Sequence, residues 1–221
     1  MELKRSYRVL RGVAKRFVKK SETVWDVPYD GEPAVFVPNH ARAWGPLDMA
    51  LYFELTDNSR IWYNAGVIDR KNLPAYIRND DWWNPKSKLA WFYNITVPYI
   101  CALLLPPVFK CTPDIPVYYD NRVTATFRQS TQAIKNGENL VIFAQLPNGY
   151  QSHDAHLIKG FLLIAPLAWR RCGVRLKFYP VHIEHEDGKI HVMKPIAFDP
   201  DRSLEEQEQE MLEYLEARVY D

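Results

Sequence analysis

Short apolar runs alternate along this chain with longer stretches of helical period. That alternation predicts an α/β sheet covered by helices on both faces. Ala34-Val35-Phe36-Val37 is a continuous apolar run closed by Pro38, and reads as a buried strand. Pro46 to Leu55 reads as a helix, with proline early, where its missing N–H costs little. A second strand is expected over 115–119 and a helix over 125–135, stopped by Asn136-Gly137. Leu140 to Phe143 is a third strand, Lys159 to Trp169 an apolar helix, and Leu176 to Ile183 a fourth strand. Lys189 to Met193 and the segment through Phe198 read as paired edge strands. Ser203 and Glu206 have capping-box spacing and start a final helix that runs to about Val219.

Two segments do not fit that alternation. In residues 2–20, Leu3, Tyr7, Leu10, Val13 and Phe17 recur at helical spacing with cations between them. This predicts a basic amphipathic helix over 1–22 lying on an anionic membrane surface, followed by one α/β domain over 23–221. From Leu89 to Phe109 no residue is charged. Its length matches a bilayer span. Asn94, Pro98 and the Pro106-Pro107 pair are expected to break it, so it reads as an apolar surface or tunnel segment dipping toward lipid, or as plain core.

The formal net charge is +1, which argues against a dedicated nucleic-acid binder. That total hides an uneven distribution: eight Lys or Arg stand in the first twenty residues, and seven acids in the last nineteen. The three cysteines, Cys101, Cys111 and Cys172, show no CxxC spacing. They fit a reducing compartment and argue against a disulfide framework or a zinc site. The N-terminus lacks an uninterrupted apolar run, so no secretory signal is read there, and the chain is expected to be cytoplasmic in exposure.

The sharpest chemical feature is Asn39-His40, directly after the first strand, followed by Asp48 near a helix start. Acyl transfer to an alcohol needs a base for the hydroxyl proton, and a histidine suits neutral pH. A carboxylate on its other ring nitrogen would set the tautomer. No G-x-S-x-G is present, and none is needed if the acceptor attacks directly.

Further segments carry a resemblance in order. VFVPNHARAWGPLD (35–48), IPVYYDNR (115–122), GENLVIFAQLPNGY (137–150), Lys159-Gly160 and Pro180-Val181-His182-Ile183 resemble the successive blocks of the glycerolipid acyltransferase family, the lysophosphatidic acid acyltransferase-like superfamily. The resemblance spans roughly residues 30–185. The sequence departs from it in three places, one being that Arg122 sits about one place later than the second-block Arg usually does. Seven residues, Ala41 to Leu47, separate His40 from Asp48, more than is usual there. Gln145 stands where the family's third block carries Glu, with Asn148-Gly149 close behind.

The resemblance implies a glycerol-3-phosphate acyltransferase-like fold, a single α/β domain with a mostly parallel mixed sheet. It implies His40 as general base, Asp48 as its orienter, and Arg122 as the contact for an acceptor phosphate. Gln145, Asn148 and Gly149 are expected to shape the acceptor site, and Lys159 to meet a phosphate. Arg42 and Trp44 are expected either to reshape the acceptor mouth or to be a plain loop. His153 and His156 read as loop residues. No metal or cofactor is expected; acyl-CoA or acyl-carrier protein would be the donor substrate, and a lysophospholipid or related alcohol the acceptor. The expected setting is the cytoplasmic face of a membrane. A catalytically degenerate lipid-binding relative and a thioester or lipid hydrolase remain alternatives.

Overall fold

The computed structural model describes residues 5–41, 44–79, 86–145 and 156–220. The elements run α1 (Arg5–Ala14), β1 (Glu22–Trp25), β2 (Val35–Pro38), α2 (Trp44–Leu51), β3 (Ser59–Asn64), α3 (Leu73–Asn79), α4 (Ala90–Cys111) and β4 (Ile115–Val117). They continue with α5 (Val123–Lys135), β5 (Asn139–Val141), α6 (Ile164–Cys172), β6 (Lys177–Glu184), β7 (Lys189–Val192), β8 (Ile196–Ala197) and α7 (Leu204–Val219).

The strands form an eight-stranded mixed sheet in the order β1-β7-β6-β2-β5-β3-β4, with β8 also pairing β6. Strands β6, β2, β5, β3 and β4 are mutually parallel. β7 and β8 run antiparallel to β6. The alternating α/β reading is therefore met, with helices flanking a mostly parallel sheet.

The unbroken apolar character of β2 has a direct cause. Val35 and Val37 point into one core with α5, α6 and α7, while Phe36 points into the other with Met49 of α2 and Phe53 just beyond that helix. A strand covered on both faces has no polar side to alternate with. At its foot, Asn139 Oδ1 accepts from the Ala34 N–H, so the strand enters the sheet without an orphaned donor. Asn136-Gly137 ends α5 as expected, with Gly137 at φ +79. The Ser203–Glu206 capping box is formed in both directions.

Several elements differ from the sequence reading. β1, β3 and α3 carry too little apolar periodicity to be read in advance, and α2 ends at Leu51 rather than Leu55. The main correction is α4, a continuous helix despite Pro98, Pro106 and Pro107. Pro98 cannot bond the Asn94 carbonyl, and Nε of Arg78 donates to that oxygen at 3.1 Å instead. α3 packs along α4 through Leu73 and Ile77, which are fully buried. The far side of α4 exposes Trp91, Ile95, Tyr99, Leu103 and Leu104. No described helix is long and apolar enough to cross a membrane.

The basic N-terminal helix is shorter than expected and is docked on the domain. Arg11 pairs with Asp57 and donates to the Leu51 carbonyl at 3.2 Å. The Tyr52 hydroxyl donates to the Val18 carbonyl at 2.8 Å. Val9, Leu10, Val13 and Phe17 remain exposed beside the cations.

Candidate functional site

The parallel strands β2, β5 and β6 end at one edge of the sheet. The carboxyl ends of parallel strands are where open α/β sheets place their ligands. His40 follows β2, Gln145 follows β5 and His185 follows β6.

Asn39 extends β2 by imitation. Its Oδ1 accepts from the Ile183 N–H at 2.7 Å and its Nδ2 donates to the Ile183 carbonyl at 3.3 Å. The amide thus closes the ladder to β6 where the backbone leaves it. His40 is then held through its main chain. Its N–H donates to Oε1 of Gln145 at 2.5 Å, and its carbonyl accepts from the Gly45 N–H at 2.9 Å. Ala41 bends the chain with φ +41, a conformation that costs a non-glycine residue energy. Gly45 is the only residue type that fits opposite this turn. A Cβ there would lie 2.7 Å from the Asn39 carbonyl oxygen and closer still to that of His40.

The His40 ring rests against Phe143, with centroids 4.8 Å apart. Part of its surface is open to solvent, yet protein crowds around it on most sides. That burial pushes its pKa down to about 4, so the ring is neutral at pH 7.

The expected His40–Asp48 pair is not formed. The Asp48 side chain is fully buried in α2. One of its oxygens accepts from the Ser21 hydroxyl at 3.1 Å, and the other lies 2.8 Å from Nδ1 of His185. The reason lies in the path of the chain between His40 and Asp48. The chain turns at Ala41 and starts α2 at Trp44, which directs Asp48 toward β6 rather than back to β2. Trp44 stacks on the His185 ring at 4.3 Å with planes 4° apart. This course of the chain builds a second histidine environment. His185 was not singled out from sequence; the available signal was a titratable residue just past a buried strand, at the same edge as His40.

The remaining candidates are dispersed. Arg122 is exposed at the start of α5 and forks onto Asp120, with Nε–Oδ1 3.0 Å and Nη2–Oδ2 2.7 Å. This hydrogen bonding holds the Asp120 carboxyl at about 2. The guanidinium also lies 4.4 Å from the Tyr118 ring centre. Arg122 follows β4, three strands from β2, or about 14 Å at the usual spacing. Lys159 is exposed and 3.8 Å from Glu208 of α7. His156 is exposed and 3.7 Å from Glu216. Gln145 also bridges Leu157, which brings the chain back to the sheet edge. The nearby Tyr220 hydroxyl is enclosed; burial raises its pKa, and its approach to the Gln145 side chain opposes that shift. Arg42, Asn148, Gly149 and His153 lie outside the described residues.

Among the described residues, no group of three or more His, Cys, Asp or Glu is placed to hold a metal. Two surface hollows, one lined by Trp25, Tyr29 and Glu54 and one by Phe127, Arg128 and Arg171, include neither His40 nor His185. In comparisons with known proteins, no family model, no curated protein and no solved structure matches this chain.

Proposed function

We propose that this chain is an O-acyltransferase that moves a fatty acyl group from acyl-CoA or acyl-carrier protein to a hydroxyl of a lysophospholipid or related glycerolipid. The observation that carries this reading is the clustering of neutral His40, Gln145 and the Asp48–His185 pair at the carboxyl ends of β2, β5 and β6. A histidine takes the acceptor's hydroxyl proton as its oxygen attacks the thioester carbonyl. A C–O bond forms, the C–S bond breaks, and the imidazolium returns the proton to the departing thiolate. Gln145 is committed to the His40 backbone and so acts by fixing that turn. Arg122 offers its outward guanidinium edge to an acceptor phosphate in competition with Asp120.

The membrane supplies the acceptor in this reading. The apolar side of α4 and the cations of α1 suit an anionic surface on the cytoplasmic side. One specific observation favours a second reading, a lipid-binding relative without turnover: the His40 ring lacks its carboxylate.

The test is incubation with long-chain acyl thioesters and lysophospholipid vesicles, followed by mass spectrometry of the lipids. An acylated acceptor is expected. Bound lipid without product would establish the second reading, and thioester loss without acylated lipid would establish a hydrolase.

A further inference from the structure

The acyl-transfer reading leaves open which histidine moves the proton. We infer that His185, held by Asp48, is the general base of this site, and that His40 serves to shape the turn beside it. This inference rests on the acyl-transfer reading and narrows it to one nitrogen.

Three features set His185 apart from His40. The first is its carboxylate. Asp48 is fully buried and has an oxygen 2.8 Å from Nδ1. An N–H at Nδ1 leaves Nε2 as the lone-pair nitrogen, and the buried charge stabilises the imidazolium formed in the reaction. Ser21 occupies the other oxygen, so the carboxylate cannot rotate away without losing a second bond. The second is orientation. His185 opens a tight turn in which the Gly188 N–H bonds the Glu184 and His185 carbonyls, at 2.8 and 3.2 Å. Trp44 fixes the ring plane and adds an aromatic face that favours a cation. The third is location. Val181 pairs with Pro38, and Ile183 is bonded by the Asn39 side chain. His185 therefore lies just beyond the position of His40 along the same sheet edge. His40 by contrast rests its ring on Phe143, and among the described residues its hydrogen bonds run through its backbone.

In the step proposed, Nε2 of His185 accepts the acceptor's hydroxyl proton while the oxygen bonds to the thioester carbon. The C–S bond then breaks, and the proton passes from Nε2 to the thiolate leaving group.

The decisive variant is His185→Gln. Its amide can still donate to Asp48, so the pin on α2 is kept, but it cannot accept and return a proton. Turnover of acyl thioester with lysophospholipid is expected to fall at least about a hundredfold in kcat, with KM for the thioester within about threefold. His40→Gln is expected to lose less than about tenfold. If His185→Gln stays within tenfold of the wild-type protein, the inference is overturned; loss of turnover in His40→Gln would then leave the acyl-transfer reading in place. A wild-type protein with no turnover on any thioester overturns both. If His185→Gln does not fold, the wild-type protein is treated with diethyl pyrocarbonate. Loss of turnover that tracks modification of His185 by peptide mass spectrometry supports the inference. Full turnover with His185 modified overturns it.

Discussion

Nδ1 of His185 lies 2.8 Å from the Asp48 carboxylate, a contact that joins two residues 137 positions apart. It ties α2 to the turn after β6, and Ser21 joins from the strand side. Removing the carboxylate leaves a buried hydroxyl and a ring N–H without their acceptor. Asp48→Ala is therefore expected to cost about 3 kcal/mol of folding stability, and Asp48→Asn about half of that, by urea denaturation at pH 7. A loss under about 1 kcal/mol for the alanine variant would show that solvent replaces the pair at little cost.

Gly45 sits where its neighbour's backbone leaves no room. A methyl group would press on the Asn39 and His40 carbonyls, and neither can move without unfastening the β2–β6 ladder or the Gln145 bond. Gly45→Ala is expected to destabilise by about 2 kcal/mol, despite alanine's better helix propensity. The same denaturation measurement checks it, and an unchanged midpoint would show that the turn has slack.

Acidification tests the surroundings of His40. Its pKa is about 4 in the folded protein against an ordinary 6.5, so the unfolded chain binds the proton more readily. The contribution of this group is fully present above pH 6.5 and is lost as pH falls toward 4. Carboxylates titrate over part of that window as well, so the comparison with His40→Gln is the informative one. The wild-type protein should lose more stability between pH 7 and pH 5 than the variant does. Parallel curves would mean that solvent reaching the ring cancels the effect of its surroundings.

The outer side of α4 gives a prediction that separates binding from folding. Ile95 and Leu103 are 60% and 64% exposed, so replacing both with Glu removes little packing. The melting temperature should shift by no more than a few degrees. Co-sedimentation with anionic vesicles should fall at least about tenfold, because two charges now face the acyl boundary. Undiminished sedimentation would remove α4 from the membrane contact.

How much of this was legible beforehand differs from element to element. β2 and β5 announced themselves, because a strand covered on both faces is apolar throughout. The capping box of α7 and the Asn136-Gly137 stop were equally plain, since both are local devices. β3 was not, because Arg60, Tyr63 and Asn64 interrupt its apolar run; Arg60 is satisfied by Glu138, a partner 78 residues away. α4 was misjudged because proline was weighed without the arginine that takes up the carbonyl it leaves.

For the site, the chain alone singled out His40 and Asp48 as chemically important and could say that a strand end carries the histidine. Those are statements about residue type and near neighbours, which pattern and spacing contain. The partner of Asp48 was decided by the fold. Strands β2 and β6 lie side by side only after the sheet is assembled, and the turn at Ala41 then directs the carboxylate to the histidine beyond β6. Proximity between residues far apart in sequence is a property of strand order, and no local period encodes it.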